Sequence, residues 1–154
     1  MSKVLIVDDE VKACNLLKRF LETKRHDIIT ANCGEEALEK VKSEKPDLIL
    51  LDIKMPGMDG LEVVRHIRHG EVYGDVPIIM VTALSGREER IRAVELGAND
   101  FISKPVDMTE VHVRTASLLK MKHAQDAIKS YQADLEVKAN KKEKGKKKKK
   151  KTGS

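Results

Sequence analysis

Aromatic side chains and long apolar runs are scarce in this sequence. Aromatics make up 3% of the 154 residues and hydrophobic residues 40%, so the core must be built from aliphatic side chains. The longest apolar runs, such as 48–51 and 77–81, are strand-sized, far short of the roughly 20 residues that span a bilayer. No apolar signal region follows a basic start at the N-terminus. We therefore expect a cytoplasmic protein without a transmembrane segment.

Cysteine and histidine are too few and too scattered to suggest a metal centre. Cys14 and Cys33 fall in helix-like and turn-like stretches, and their spacing is not that of metal ligands. We interpret both as free, reduced thiols, with a disulfide or redox role as the weaker alternative. The five histidines stand singly, so we assign them no ligand role.

Positive charge is concentrated at the C-terminal end. The formal net charge is +5, but nine Lys and one Glu give residues 141–151 a charge of +8, which leaves −3 for the rest. We predict a Lys-rich, disordered tail over residues 141–154. Lysines without interleaved aromatics or arginines bind polyanions weakly and read no bases. Specific nucleic-acid binding is therefore not expected, and polyanion binding is an accessory function at most.

Five short apolar runs alternate with amphipathic, helix-like stretches. Runs that are continuously apolar are typical of strands buried on both faces of a parallel sheet. Strand–helix alternation then predicts an α/β fold with helices on both faces, and the flavodoxin-like, doubly wound order 2-1-3-4-5 is common for five strands. The predicted strands are 3–7, 27–31, 48–51, 77–81 and 100–103, and the helices between them are 11–24, 35–43, 61–69 and 86–96.

A long C-terminal helix is predicted from Asp107 to about residue 139. Asp107 and Glu110 have the spacing of a capping box. A helix of about 30 residues is about 45 Å long, more than is needed to cover one face of the sheet, so we expect its second half to project. We divide the chain into a domain at 1–122, a helical extension at 123–140 and the tail.

The extension carries an apolar repeat, formed by Met121, Ala124, Ile128, Tyr131 and Leu135. Their alternating separations of three and four residues are typical of a coiled-coil seam. Two interpretations stay open, a homodimer through a short coiled coil and a solvated or frayed helix.

Polar side chains stand at the ends of four of the five predicted strands. They are Asp8 and Asp9 after the first strand, Asp52 after the third, Thr82 at the end of the fourth and Lys104 after the fifth. Functional groups of open parallel sheets gather beyond the carboxyl ends of the strands, near the point where the strand order reverses. These four strands are neighbours in the predicted order, so we expect one pocket.

The chemistry of that pocket follows from its side-chain types. Clustered carboxylates repel one another, and Mg²⁺ suits such a cluster because it binds carboxylates and keeps waters that a phosphate can replace. A carboxylate such as Asp52 can also attack phosphorus. The Lys104 ammonium, the Thr82 hydroxyl and the Ala83 backbone N–H would offset the negative charge of the transferring group. The residues predict a phosphoryl-accepting site that uses Mg²⁺.

Four motifs resemble the signature of the receiver domains of two-component response regulators. They are Asp8-Asp9-Glu10, the segment 51–60 around Asp52, Thr82-Ala83, and Lys104-Pro105. Each motif is weak alone, but together they have the order and separations of the family, and the resemblance covers about residues 2–122.

The resemblance implies the acceptor and the metal ligands. Asp52 would be the phosphorylation site. Asp9, Asp52 and the backbone carbonyl of Lys54 would bind Mg²⁺, and Asp8 would support the ion through water.

The resemblance also implies a switch and its partners. Thr82 and Lys104 would contact the phosphoryl group, Phe101 would change rotamer with Thr82, and the bond before Pro105 would be cis. A sensor histidine kinase or a histidine phosphotransfer protein would supply the phosphoryl group. The surface formed by the fourth helix, fifth strand and fifth helix would then control a downstream protein target.

Two questions of context accompany this interpretation. A phosphatase resembling the haloacid dehalogenase family would carry a second Asp two residues after its nucleophile, whereas this chain has Lys54 there. We therefore expect no enzyme activity beyond autocatalytic phosphotransfer and autodephosphorylation. The chain is interpreted as a stand-alone receiver, with the receiver part of a larger regulator, carrying an effector such as a cyclic-dinucleotide enzyme, as the alternative.

Overall fold

The computed structural model describes residues 1–70, 74–83 and 86–152, with side chains up to residue 142. The strands are β1 (Lys3–Val7), β2 (Asp27–Ala31), β3 (Leu48–Leu51), β4 (Ile78–Thr82) and β5 (Asp100–Ser103). The helices are α1 (Val11–Thr23), α2 (Gly34–Glu44), α3 (Gly60–Arg68), α4 (Arg87–Leu96) and α5 (Met108–Thr152). The chain divides into two compact units, Met1–Leu119 and Lys120–Ser154.

The five strands form one parallel sheet in the order β2-β1-β3-β4-β5. This confirms the predicted flavodoxin-like topology. All four residues of β3 are at most 1% exposed, as expected for a central strand with helices on both faces. One apolar layer joins Leu50 and Ile79 to α1 and the start of α5, and the other joins Leu51 and Met80 to α2, α3 and α4.

The helix ends place the loops that follow the strands. The Asp59 carboxylate accepts a hydrogen bond from the Glu62 N–H at 2.9 Å and caps α3. Gly97 adopts the left-handed conformation (φ 112°) that ends α4. The Asp107 side chain accepts from the Thr109 N–H at 2.8 Å and so caps α5.

The C-terminal end of α5 differs from the prediction. The helix was expected to end near residue 139 and to give way to a disordered tail at 141, whereas in the structure it continues to Thr152. Lysine is a good helix former, and no proline interrupts the segment, so the backbone can remain helical although like charges repel. Residues 153 and 154 of the predicted tail lie outside the described residues. Among the helices described, none combines the length and apolarity that crossing a bilayer requires.

A guanidinium at the end of α3 connects three segments of the first unit, α3 itself and the loops before β4 and before β5. Arg68 Nε donates to the Gly97 carbonyl at 2.9 Å, and Nη1 donates to the carbonyls of Gly74 and Val76 at 2.9 and 2.6 Å. Nη2 reaches the Asn99 side chain at 2.8 Å. Burial lowers the pKa of Arg68, which the charge of Asp75 partly opposes. The network fixes the loop between α4 and β5.

Truncating this side chain is expected to destabilise the fold. Arg68→Ala leaves three backbone carbonyls without their donor, so the free energy of unfolding should fall by about 2 kcal/mol. Urea titration followed by circular dichroism measures this loss. Arg65→Ala, at an exposed position of the same helix, is the matched control and should change stability far less. Equal effects of the two variants would contradict a specific role for the network.

Candidate functional site

Main-chain hydrogen bonds fix the residues that follow the strands. The Asp52 N–H donates to the Val7 carbonyl at 3.0 Å, so the pairing of β3 with β1 continues one residue past β3. The Lys104 N–H donates to the Thr82 carbonyl at 2.9 Å, which does the same for β5 and β4. The sheet itself thus positions the Asp52 carboxylate and the Lys104 ammonium.

A single ammonium joins two buried carboxylates in this pocket. Lys104 Nζ lies 2.9 Å from Asp8 Oδ2 and 3.1 Å from Asp52 Oδ2. Asp8 is 2% exposed and Asp52 6%, whereas Asp9 is exposed. One carboxylate oxygen from each of the three aspartates lies within 4.8 Å of the others. Four predicted side chains from three strand ends therefore meet in one place.

The electrostatics of the site are unbalanced toward negative charge. Burial raises the pKa of Asp52, and the charge and hydrogen bond of Lys104 oppose that rise. Burial alone would lower the pKa of Lys104, but its hydrogen bonds and ion pairs with Asp8 and Asp52 raise it overall. The three clustered carboxylates are accompanied by one ammonium, which contacts Asp8 and Asp52, and this leaves an excess of negative charge in a partly buried pocket.

That donor set fits a hard divalent cation. Carboxylate oxygens are the ligands that Mg²⁺ takes in proteins, and the three converging oxygens can be offered to one ion. Lys54 follows Asp52 by two residues, and its N–H donates to Asp52 Oδ1 at 3.3 Å, which holds the second carboxylate oxygen in place.

The remaining predicted residues lie around this cluster on β4 and β5. Thr82 ends β4 and is 3% exposed, and Ala83 follows it at an exposed position. Phe101 pairs with Met80 in the sheet register and is half-buried against the core. The Lys104–Pro105 peptide bond is cis.

Two side chains that support Asp8 were not singled out in the sequence. Asn32 Nδ2 donates to the Asp8 carbonyl at 2.9 Å, and Cys14 Sγ lies 3.6 Å from the same oxygen. The Glu10 N–H donates to Asp8 Oδ1 at 2.9 Å. Asn32 follows β2, so the rule that identified the other strand-end residues could also have found it. Cys14 lies on α1 and offered no such signal.

Comparison with known proteins places these residues in a family. The sequence model of the response regulator receiver domain matches residues 4–116. The chain is 42% identical over 118 residues to the alkaline phosphatase synthesis transcriptional regulatory protein PhoP of Bacillus subtilis, covering 77% of this chain and 48% of that protein. It is 36% identical over 132 residues to the response regulator PleD of Caulobacter vibrioides, covering 86% of this chain and 29% of that protein.

The solved structures agree with the sequence comparison. The chemotaxis protein CheY4 of Vibrio cholerae superposes with a TM-score of 0.74 at 30% identity, over 77% of this chain and 98% of that one. The chain spans half or less of the two curated relatives named above. The match to the family model nevertheless covers most of the chain, including the whole carboxylate cluster and all of the sheet except the first residue of β1. The chain belongs to the response regulator receiver domain family and is a receiver of two-component signalling.

Proposed function

We propose that this receiver accepts a phosphoryl group on Asp52 from a phosphohistidine of a sensor histidine kinase or a histidine phosphotransfer protein. The observation that carries the proposal is the Asp52 carboxylate itself. It is buried at a strand end, bonded to Lys104 at 3.1 Å and grouped with Asp8 and Asp9. A nucleophile beside both a fixed cation and a cation-binding cluster is the arrangement that phosphoryl transfer requires.

The transfer step forms one bond and breaks one. An Asp52 carboxylate oxygen attacks phosphorus, the P–N bond of the phosphohistidine breaks, and its electron pair returns to the imidazole. The imidazole leaves neutral when its other ring nitrogen carries a proton. Lys104, already 3.1 Å from the acceptor oxygen, is positioned to bind a phosphoryl oxygen, with the Thr82 hydroxyl and the Ala83 N–H as further donors. Mg²⁺ held by Asp8, Asp9, Asp52 and the Lys54 carbonyl would offset the charge of the phosphoryl oxygens.

A small phosphodonor tests this proposal without a kinase. With acetyl phosphate and Mg²⁺, the intact mass of the protein should rise by one phosphoryl group, and hydroxylamine should reverse the gain because it cleaves acyl phosphates. Chelating the metal with EDTA should prevent the gain, since the carboxylates then repel the incoming phosphate. Adding excess Mg²⁺ afterwards should restore it. Labelling that resists hydroxylamine, or is equal in EDTA, would exclude a metal-assisted aspartyl phosphate.

The new charge would be reported through β4 and β5. A phosphoryl group adds about −1.5 to −2 charge at neutral pH, which attracts the Thr82 hydroxyl and lets the half-buried Phe101 turn inward. The adjoining surface of α4, β5 and α5 exposes three apolar side chains, Ile91, Val94 and Val113. An exposed apolar group of this kind favours a protein partner. We propose this surface as the contact for the downstream target.

The phosphodonor is proposed to dock on the opposite side of the pocket, against α1. Val11 and Leu16 of α1 are 57% and 58% exposed. A cavity of about 140 Å³ opens beside Leu16 and is bordered by Asp8, Lys104 and Pro105. A partner helix that covers the apolar pair would therefore bring its phosphohistidine toward Asp52.

A charge on this face should separate docking from chemistry. The kinase used is the one that phosphorylates the parent protein fastest. Leu16→Asp is expected to slow phosphoryl transfer from this kinase by about 10-fold or more, which corresponds to about 1.4 kcal/mol of binding free energy lost in the encounter. Labelling by acetyl phosphate should be unchanged, since Leu16 does not contact the acceptor. Val94→Asp, equally exposed at 59% but on α4, is the matched control and should keep both rates. If Leu16→Asp slows both donors alike, the effect lies in the site rather than in docking.

A further inference from the structure

The second unit carries an apolar helix face that its own fold leaves uncovered. The side chains of this face, called the seam below, are Met121, Ala124, Ile128, Tyr131 and Leu135. All are exposed, Met121 at 41%, Leu135 at 48%, Ile128 at 58% and Tyr131 at 65%. Isolated helices gain little stability from propensity alone and depend on packing of an amphipathic face. The seam therefore needs a partner to bury it.

The charges of this segment are arranged so that a second helix can approach the seam. The side chains that flank it at helical spacing are Gln125, Ala127, Gln132 and Ala139, which carry no charge, and Asp134, which does. Lys122 and Asp126 form an ion pair at 2.7 Å on the far side of the helix. A mostly uncharged border beside a charged outer face is the pattern of a helix–helix interface. It does not fit a helix that is solvated all round.

The occupant that the sequence favours is a second copy in antiparallel orientation. In a parallel pair the two segments 141–151, each with a charge of +8, would run side by side and repel within a Debye length. An antiparallel pair places these segments at opposite ends of the contact. With Ile128 beside Tyr131, the same arrangement sets Ala124 beside Leu135, where a small side chain faces a large one and the contact can close.

We propose that residues 124–135 pair antiparallel with the same residues of a second copy of this chain. The contact is about two heptads long, so the surface that each partner buries is well below the roughly 800 Å² of a standard stable interface. The association is therefore weak and depends on concentration. It does not involve the phosphoryl site, so it stands or fails independently of the proposed function.

Light scattering or sedimentation of the full chain tests the pairing. The apparent mass should rise with concentration from 17.3 kDa toward twice that value. Leu135→Asp or Ile128→Asp should hold it at the monomer value throughout. Val137→Asp replaces a side chain of similar exposure, 54% against 48% for Leu135, but off the seam, and should dimerise like the parent. The proposal would be overturned if the parent protein stayed monomeric at all concentrations. It would also be overturned if Val137→Asp reduced dimerisation as much as Leu135→Asp does.

Single cysteines determine the orientation. In a Cys33→Ser background, in which the remaining Cys14 is buried, Ala124→Cys and Leu135→Cys are prepared separately and then mixed under mild oxidation. The antiparallel pair predicts a disulfide between the two different variants and little self-crosslinking of either one alone. Efficient self-crosslinking of Ala124→Cys without its mixed partner would contradict the antiparallel arrangement.

Discussion

Replacing Asp52 with Asn is expected to abolish phosphoryl uptake from acetyl phosphate and from a kinase, down to the background of the assay. The side chain keeps its size, but its amide is not a nucleophile toward phosphorus and loses the negative charge that pairs with Lys104 at 3.1 Å. Among the residues that the structure describes, no other carboxylate occupies the same place in the sheet, since Asp8 follows β1 and Asp9 is exposed. Intact mass after incubation with acetyl phosphate and Mg²⁺ measures the loss.

This loss can be separated from unfolding because the substitution should not weaken the fold. Burial raises the pKa of Asp52 above its ordinary value. The ionised carboxylate is therefore disfavoured in the folded state, and its charge costs stability at neutral pH. The urea midpoint of Asp52→Asn should equal or exceed that of the parent. Asp27→Asn, at an exposed position of β2, is the control that should label normally. Full labelling of Asp52→Asn would place the acceptor elsewhere.

The order of the sheet and the bounds of its strands could be predicted because one physical signal dominates them. Short, mainly apolar runs mark buried parallel strands, and β1, β2, β3 and β5 begin and end at the predicted residues. β4 begins one residue later than predicted, at Ile78. Pro77 has no N–H to donate, although its carbonyl accepts from the Ile49 N–H at 3.0 Å. Local sequence was therefore sufficient for the architecture.

The strand topology predicts which residues of the candidate site lie near one another, but it does not predict their side-chain contacts. The strand order brings Asp8, Asp52 and Lys104 to one edge, and the structure finds them bonded to one another. The strand order does not predict that Lys104 bridges both carboxylates, because that contact depends on side-chain rotamers. The contact between Arg68 and Asn99 joins residues 31 positions apart through a loop geometry that no local pattern encodes.

In the C-terminal segment, the prediction made from amino-acid composition differs from the structure. A lysine run predicts disorder when charge repulsion is weighed alone, yet the helix continues through it to Thr152. Helical propensity and the absence of proline act on the backbone, whereas repulsion acts between side chains. Composition alone does not predict whether helical propensity or charge repulsion prevails, because both free-energy contributions are small.

The second large effect is expected at Gly60, where α3 begins directly behind the acceptor. A Cβ at this position would overlap the Asp52 carbonyl oxygen and lie 2.8 Å from Ile53 Cα. Both are backbone atoms and cannot turn aside as a flexible side chain could. The Gly60 N–H also donates to the Ile53 carbonyl at 2.8 Å, so α3 cannot move away without breaking that bond. Gly60→Ala should therefore lower the free energy of unfolding by about 3 kcal/mol.

Urea titration of Gly60→Ala against Gly86→Ala isolates this close approach from the general effect of replacing a glycine. A Cβ at Gly86, the N-cap of α4, would meet no atom within 4 Å, and its φ of −66° is open to any residue, so Gly86→Ala should cost no more than about 1 kcal/mol, the loss expected when Ala replaces Gly at an N-cap. The overlap at Gly60 can be relieved only by displacing the backbone of Asp52 itself. Labelling of Gly60→Ala by acetyl phosphate should therefore also be slower than that of the parent, under conditions where the variant is fully folded. Normal labelling combined with parental stability would mean that α3 can shift without disturbing the acceptor, and that the position of Asp52 is set by the strand pairing alone.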